Sequence, residues 1–383
     1  MVSDAPLGAF LSGGIDSSIV VALMQEQSRR PVRTFSIGFA NASYNEAANA
    51  ASVAEHLGTD HTELYVTPQE AQTVIPKLPM IFSEPFADSS QIPTYIVSQL
   101  ARQKVTVALS GDGGDELFGG YNRYIWSQNL RKLIDACPLL LRRSFSKGIF
   151  SRPTQSWDIF YEKLAPFIPK TLHQNRFGEK LHKLAAVLDA TSKEDMYWKL
   201  TSQWQNPREA LLTSNEPSTL LSEKNRWPPI SDFRQQMMLV DTLTYLPDDI
   251  LVKLDRASMA VSLETRVPLL DQRVFEFAWH LPPKTKIYKG AGKRILKQIL
   301  GKYVPKHLFE RPKMGFGVPI GDWLRKDLVS WAGDLLSMNE LASSNFFQAE
   351  PIHKLWLDHL QGKRNHQHTL WPVLMFQAWL DAQ

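Results

Sequence analysis

A glycine-rich turn between an apolar strand and an amphipathic helix most constrains the fold of this 383-residue chain. The apolar, uncharged run 8–11 is typical of a buried parallel strand, and apolar residues recur at helical spacing from Ile19 to Met24. A strand, turn and helix in this order direct backbone N–H groups and the positive end of a helix at one point, which favours a phosphate. No Gly-Lys-Ser/Thr follows the glycines, so the turn is not a Walker A loop. The pattern predicts a phosphate-binding turn, with a simple capped turn as the alternative.

The side chains of this turn combine hydroxyls with one carboxylate. Ser12, Ser17 and Ser18 supply the hydroxyls, and Asp16 supplies the carboxylate. An anion site that also holds a carboxylate is chemically reasonable when a divalent cation bridges the two.

A second glycine-rich loop, residues 110–121, follows the strand-like run 105–109 and also opens with Ser-Gly. It places three acids, Asp112, Asp115 and Glu116, among five glycines. Ligands of open parallel sheets bind at the carboxyl ends of the strands. We therefore expect Asp16 and Asp115 to hold one Mg²⁺ between the two loops.

The first third of the chain alternates between strand and helix patterns, which predicts a doubly wound parallel sheet of the α/β class. After residue 125 the strand pattern nearly vanishes. We expect an α/β core over residues 1–125 and a mainly helical subdomain over residues 126–383. The predicted strands are 7–11, 32–39, 61–66 and 104–109, and the predicted helices are 17–28, 44–57, 68–76 and 91–103.

Composition is that of a soluble enzyme. With 43 basic and 39 acidic residues the net charge is only +4, and pairs such as Arg29-Arg30 and Arg142-Arg143 are expected on the solvated surface rather than on nucleic acid. The single cysteine, Cys137, excludes an intrachain disulfide and fits a reducing compartment. No apolar run is long enough to span a membrane, and no signal peptide is evident. We expect a cytoplasmic protein that binds neither membrane nor nucleic acid.

The two loops resemble those of the synthetase half of glutamine-dependent asparagine synthetases, a branch of the PP-loop ATP-pyrophosphatase superfamily with a HUP-like fold. The resemblance extends over nearly the whole chain and implies an enzyme that attaches AMP to a carboxylate and releases pyrophosphate. Its other segments are 34–39, 84–88, 252–259, 264–268, 293–296 and 370–371.

The resemblance implies a role for most polar residues of the loops. Asp16 and Asp115 match magnesium ligands that are also catalytic, and Asp112 and Gly114 match a substrate-binding position. For Phe10 and Ile37, only main-chain groups need touch adenine, because these two side chains are expected in the strand core. The residues matched to pyrophosphate are Ser12, Gly13, Gly14, Ser17 and Ser18, and those matched to the adenylate are Phe10, Ile37, Gly38, Ser110 and Gly111.

Two further residues match catalytic positions of the family. Lys293 begins a helix and shares an apolar face with Leu296 and Leu300. From position alone, a lysine whose stem lies on the core fits equally well. Replacement of Lys293 by leucine is expected to leave stability unchanged or slightly higher, because a charge is removed from an apolar stripe and from an unfavourable helix end. The resemblance instead implies that Lys293 stabilises charge during adenylation. Tyr121 matches a tyrosine near the reacting centre, with a structural aromatic as the alternative.

The helix pattern around Asp255 predicts a wall of the site rather than a catalyst. Asp255 lies four residues after Leu251 and four before Met259, so an apolar helix face would carry it. A buried acid is normally paired, and Arg256 or Arg266 is the expected partner.

The resemblance implies conversion of aspartate to asparagine through β-aspartyl-AMP, with ATP, Mg²⁺ and ammonia. Glutamine-dependent members carry an N-terminal glutaminase domain that begins with a cysteine, whereas this chain begins Met1-Val2. We therefore expect that domain to be absent here: either the chain is a truncated product, or a separate domain or subunit supplies ammonia.

The sequence is also compatible with other functions. The segment 87–90 lacks an arginine that some members place near the substrate carboxylate, so another acid, as in β-lactam-forming or peptide-cyclising synthetases, is the alternative. A tRNA-modifying PP-loop enzyme would be expected to show a basic face or a zinc module. A non-catalytic remnant is disfavoured by the presence of Asp16, Asp115 and Lys293.

Overall fold

The computed structural model describes residues 3–39, 45–165, 177–213, 217–311 and 316–383. Within them, five parallel strands form one sheet in the order β3-β2-β1-β4-β5. The strands are β1 (Leu7–Phe10), β2 (Arg33–Phe39), β3 (Asp60–Val66), β4 (Val107–Leu109) and β5 (Glu264–Arg266).

Helices make up most of the remaining described structure. One π-helical segment, Leu246–Leu251, continues directly into an α-helix. The α-helices are α1 (Ile15–Glu26), α2 (Ala47–Leu57), α3 (Pro68–Gln72), α4 (Leu78–Phe82), α5 (Gln91–Arg102), α6 (Gly114–Phe118), α7 (Asn122–Ala136), α8 (Leu139–Phe150), α9 (Thr154–Leu164), α10 (Phe177–Ala185), α11 (Lys193–Thr201), α12 (Phe233–Leu243), α13 (Val252–Met259), α14 (Gln272–His280), α15 (Pro283–Lys286), α16 (Arg294–Leu300), α17 (Ile320–Arg325), α18 (Val329–Leu335), α19 (Met338–Ser343), α20 (Ala349–Leu360) and α21 (Gln367–Leu380).

The predicted α/β class and doubly wound parallel sheet are confirmed. The chain moves outward from β1 to β2 and β3, then returns through α5 to β4 on the other side of β1. Right-handed crossovers therefore place α1 and α2 on one face of the sheet and α5 on the opposite face. The order reverses between β1 and β4, whose residues Ala9 and Leu109 are paired. The loops that follow these two strands are consequently neighbours.

The predicted elements of the first third agree with the structure to within a few residues, with one difference. The predicted helix 68–76 ends as α3 at Gln72, and a 3₁₀ turn, Ile75–Lys77, follows at Pro76. Residue 44, the predicted start of the second helix, lies outside the described residues. Gly58 caps α2 in the left-handed conformation (φ 69°), which is common for a glycine that directly follows a helix.

The described residues divide into two compact units, and this division differs from the predicted one. The first unit contains residues 1–126, 228–319 and 382–383, and the second contains 127–227 and 320–381. The chain leaves the first unit close to the predicted boundary, but residues 228–319 belong to that unit again because they supply β5 and the helices around it. Strand β5 is only three residues long, so local alternation in the sequence could not indicate it.

The second unit is helical, and one prediction about its surface was wrong. Arg142 is buried and donates hydrogen bonds to the carbonyl oxygens of Cys137 (2.9 Å) and Ala190 (2.8 Å), whereas Arg143 is exposed as expected. Helix α8 turns only one of the two neighbouring arginines inward.

None of the helices in the described part of the chain is both long and apolar enough to cross a membrane.

Candidate active site

A cavity of about 720 Å³ lies in the first unit, where β1 and β4 end. Both glycine-rich loops line it, together with residues from the 245–317 region. Twelve of the predicted site residues face this cavity: Phe10, Ser12, Gly14, Asp16, Ser17, Ile37, Ser110, Gly111, Asp112, Asp115, Tyr121 and Lys293. Four others, Gly13, Ser18, Gly38 and Gly114, do not line it.

The first loop turns sharply before α1. Gly13 has a left-handed backbone (φ 68°), and Gly14 caps α1 without any side-chain hydrogen bond. The hydroxyl of Ser12 accepts from the N–H of Gly14 (3.2 Å) and lies 3.0 Å from the hydroxyl of Ser17. The start of α1 therefore leaves backbone N–H groups and two serine hydroxyls at the cavity, as an anion site requires.

Ser18 occupies a different position from the other two serines. It is fully buried, and its hydroxyl has no hydrogen-bond partner among the described residues. The cavity contains the side chains of Ser12 and Ser17 but not that of Ser18. A pyrophosphate contact from Ser18 stays a prediction.

The second loop packs directly on the first through glycines. A Cβ atom on Gly111 would lie 2.6 Å from the backbone nitrogen of Ser17, and one on Gly114 would lie 2.5 Å from the carboxyl carbon of Asp16. Any larger residue would separate the loops. The glycines thus permit the close approach that brings Asp16 and Asp115 together.

Lys293 joins the two loops. Its ammonium lies 2.7 Å from Oδ1 of Asp115 and also bonds to Asp16, and its side chain is 8% exposed. Burial would lower the pKa of Lys293, but these two carboxylates raise it above its ordinary value, so the ammonium stays charged. Lys293 is the N-cap of α16 in a left-handed conformation (φ 55°), and its N–H donates to the carbonyl oxygen of Phe118 (3.1 Å). The side chain therefore extends to the carboxylates and does not follow the apolar stripe of α16.

Of the remaining acids of the second loop, Asp112 is partly buried and Glu116 is deeply buried. Asp112 accepts a hydrogen bond from the hydroxyl of Ser110, yet burial raises the pKa of Asp112. Glu116 is 1% exposed, and burial raises its pKa to about 7 even though the hydroxyl of Tyr121 donates to it (2.6 Å). The guanidinium of Arg123 covers the Tyr121 ring at 4.0 Å. Tyr121 is thus fixed on two sides next to Asp115.

Sequence reasoning missed a second charged cluster on the cavity wall. The ammonium of Lys253 bonds to Asp88 and lies 3.7 Å from Oδ1 of Asp249. Burial would raise the pKa of Asp88, but Lys253 and two hydrogen bonds from Ser90 lower it to about 2. Burial and the charge of Asp88 raise the pKa of Asp249 to about 7. The available signals were that Asp88 and Lys253 lie within the family-like segments 84–88 and 252–259.

The prediction for Asp255 was wrong. Asp255 is exposed, because the buried stripe of α13 consists of Leu254, Ala257 and Ser258. Arg266, its predicted partner, instead pairs with Glu264 at 2.6 Å.

Comparisons with known proteins identify the family of the chain. The family model "Asparagine synthase" matches residues 1–381. Asparagine synthetase 1 of Bacillus subtilis, named as glutamine-hydrolyzing, is 32% identical over 381 residues, which cover 99% of this chain and 56% of that protein. Asparagine synthetase 3 of the same organism, also named as glutamine-hydrolyzing, is 24% identical over 89% of this chain and 49% of its own length.

A relative with a different name is also similar. Amidase chry2 of Gibberella zeae is 23% identical over 96% of this chain and 57% of its own length. The chain spans about half the length of the curated relatives it matches. The family model nevertheless covers nearly every residue, including both glycine-rich loops and Lys293, and the chain therefore belongs to the asparagine synthase family.

Proposed function

We propose that this chain carries the ATP-dependent synthetase activity of the family and converts aspartate to asparagine with release of AMP and pyrophosphate. The observation that carries the proposal is the meeting of Asp16, Asp115 and Lys293 in one cavity at the ends of β1 and β4. Carboxylates and an ammonium from three distant segments converge beside an anion-binding turn. Among the described residues, this arrangement of side chains is the one best suited to phosphate chemistry.

In the first step the substrate's side-chain carboxylate is activated. The N–H groups of the first loop and the N-terminus of α1 bind the β- and γ-phosphates of ATP. An oxygen of the aspartate carboxylate forms a bond to the α-phosphorus, and the bond from that phosphorus to the pyrophosphate oxygen breaks. The ammonium of Lys293 stabilises the negative charge that develops during this displacement. The products are β-aspartyl-AMP and pyrophosphate.

In the second step ammonia displaces AMP. Its nitrogen forms a bond to the acyl carbon, the bond from carbon to the AMP oxygen breaks, and the nitrogen loses a proton. Asp112, which faces the cavity, binds the substrate's ammonium group as a carboxylate. A separate glutaminase domain or subunit is the proposed source of ammonia.

Mg²⁺ fits the residues at the junction of the loops. Asp16 and Asp115 both bond to one ammonium, so their oxygens approach a common point. Within the described ranges no group of three His, Cys, Asp or Glu side chains could hold a metal. Mg²⁺ commonly takes only one or two protein carboxylates and completes its shell with water and phosphate oxygens. Asp16 and Asp115 would hold the ion, which neutralises phosphate charge when bound.

The test is a pyrophosphate-release assay of the purified chain with ATP, Mg²⁺ and a panel of carboxylic acids. We expect release to require aspartate, and asparagine to form when ammonium chloride is added, at a rate that rises with pH as free NH₃ increases. Asp115→Asn should abolish pyrophosphate release while AMP still binds. Equal pyrophosphate release with and without aspartate would contradict aspartate as the substrate. The absence of pyrophosphate release with every acid tested would contradict the proposed activity.

A second arm of the assay concerns the nitrogen donor. Amide transfer from glutamine requires a nucleophile, and the single cysteine, Cys137, lies between α7 and α8 rather than in the cavity. Glutamine alone should therefore support no amide formation by this chain, and Cys137→Ala should leave the ammonia reaction unchanged.

A ligase for another carboxylate is the second candidate. Its support is the cavity wall at Asp88, where the nearby cation is Lys253 and the segment 87–90 contains no arginine. A relative that is named as an amidase points the same way. The acid panel separates the two candidates, because the preferred acid gives the highest rate of pyrophosphate release. A tRNA-modifying activity has no comparable support.

A further inference from the structure

Arg311 reaches the first loop from a distant part of the chain. Its Nη2 donates to the carbonyl oxygen of Gly13 (2.6 Å) and, at 3.5 Å, to that of Ser12, and its Nη1 donates to that of Leu308 (3.1 Å). A Cβ atom on Gly13 would lie 2.8 Å from Nη2. The guanidinium therefore packs tightly on the outside of the turn and also lines the cavity.

The charge of Arg311 distinguishes it from the other cations of the cavity. Lys293 is paired with Asp16 and Asp115, and Lys253 is paired with Asp88. The hydrogen bonds of Arg311 all end on neutral carbonyl oxygens. The charge of Glu46, which lines the same cavity, acts on Arg311, but no carboxylate of the described residues forms a direct ion pair with it. A guanidinium keeps its proton at neutral pH, so a positive charge that is not tied up in a direct ion pair stands beside the anion-binding turn.

The donors of Arg311 are also incompletely used. A guanidinium carries five N–H groups, and the three hydrogen bonds to carbonyl oxygens account for only part of them. The planar fork of the remaining donors suits phosphate oxygens. We propose that Arg311 binds the pyrophosphate portion of the nucleotide, in addition to holding the first loop in its turn.

This inference rests on the proposed function, because it takes ATP to be the ligand of the cavity. It adds a contact that no residue of the first loop supplies, since that loop offers N–H groups, hydroxyls and the carboxylate of Asp16 but no cationic side chain. The charge of Arg311 should thus matter for pyrophosphate and ATP, and much less for AMP, which lacks the β- and γ-phosphates that the proposed function assigns to the first loop.

The experiment is calorimetric titration of the full chain with inorganic pyrophosphate and with AMP, both in the presence of Mg²⁺. Three variants are compared with the original chain. Arg311→Gln keeps a neutral donor for the Gly13 carbonyl but removes the charge, and Arg311→Lys keeps the charge. Arg273→Gln is the matched control, because the Arg273 side chain is 91% exposed and pairs with Asp271 away from the cavity. Thermal unfolding establishes that each variant is folded.

We expect Arg311→Gln to weaken pyrophosphate binding by about 10- to 100-fold and AMP binding by less than about threefold. Arg311→Lys should recover most of the lost affinity, and Arg273→Gln should change neither ligand. Equal pyrophosphate affinity in Arg311→Gln would overturn the proposal. So would an equal loss in Arg311→Lys and Arg311→Gln, since the residue would then only support the turn. If Arg311→Gln does not fold, the pyrophosphate affinity of Arg311→Lys decides instead. A loss of about tenfold or more in that affinity would overturn the proposal. An original chain that binds neither ATP nor pyrophosphate would instead refute the proposed function.

Discussion

At the scale of single residues, Lys293 carries both a structural and a chemical role. The expectation from sequence position was that its removal would leave stability unchanged or raise it. The structure reverses this expectation, because the ammonium is the partner of two partly buried carboxylates, Asp16 and Asp115. Removing one member of a buried ion pair leaves the opposite charge uncompensated, which typically costs about 3–5 kcal/mol.

We therefore predict that Lys293→Met lowers the free energy of unfolding by about 3 kcal/mol in EDTA, as measured by urea titration. Mg²⁺ should restore part of the loss, because a cation bound to Asp16 and Asp115 replaces the missing charge. Adenylation should fall by orders of magnitude in either condition. Lys297→Met is the control, since Lys297 lines the same cavity without an ion pair in the described part of the chain. Unchanged stability of Lys293→Met in EDTA would refute the structural role.

Lys286 shows the opposite situation, a buried lysine without an acidic partner among the described residues. It is 1% exposed, its ammonium forms no hydrogen bond there, and it lies 4.6 Å from the centre of the Trp279 ring. Burial lowers the pKa of Lys286 from 10.5 to about 8. Below pH 8 Lys286 is charged in both the folded and the unfolded state, and burial of the charge lowers the free energy of unfolding by its full amount. Between pH 8 and 10.5 Lys286 is neutral in the folded protein while the unfolded chain keeps the proton, so this destabilisation decreases as pH rises.

Lys286→Met should consequently stabilise the protein at pH 7, by up to about 3 kcal/mol. The advantage over the original chain should shrink steadily as pH is raised from 8 to 10.5. Urea unfolding at several pH values measures both quantities. Lys302→Met, at an exposed position, should show no such pH-dependent difference. A benefit that stays constant across this range would mean that Lys286 does not titrate there.

At the scale of elements, the two glycine-rich loops act as one structure. Gly111 packs closely against the backbone of Ser17, and Gly114 packs closely against Asp16, so neither position has room for a Cβ atom. The local pattern of strand, glycines and acids predicted each loop separately. It could not show that glycine at these positions is needed because the other loop lies against it.

We predict that Gly111→Ala moves the loops apart and weakens both ATP binding and pyrophosphate release at least tenfold. Its added Cβ would lie 2.6 Å from the Ser17 nitrogen, a backbone atom that cannot move without displacing α1. Gly148→Ala in α8 is the matched control, since nothing lies within 4 Å of its new Cβ. That substitution should stabilise the helix by about 0.5–1 kcal/mol and leave activity intact. Normal ATP affinity in Gly111→Ala would show that the loops tolerate separation.

Other elements illustrate where local pattern was insufficient. Helices α1, α2 and α5 follow from runs of apolar residues at helical spacing, and the structure contains them. Strand β5 has three residues and no alternation of its own. It exists because β4 offers a free edge at the right place, which is a property of the sheet and not of residues 264–266.

At the scale of the whole molecule, much of the cavity wall comes from segments that are remote in sequence. Lys253 and Asp88 are 165 positions apart, and Arg311 and Gly13 are 298 apart. No spacing rule links such residues, so Lys253, Arg311 and the burial of Arg142 escaped prediction. The division into units shows the same effect, since residues 228–319 return to the sheet after the chain has left it.

The sequence by itself determined the α/β class, the doubly wound sheet and the two glycine-rich loops with their acids. These features depend on apolar periodicity and on backbone conformations that only glycine adopts easily, both of which are local properties of a chain. The tertiary structure alone decided that Lys293 joins Asp16 to Asp115, that Asp255 faces solvent and that Arg311 covers the first loop. Contacts of this kind depend on which distant segments pack together, and burial then sets the charge and the partners of each side chain.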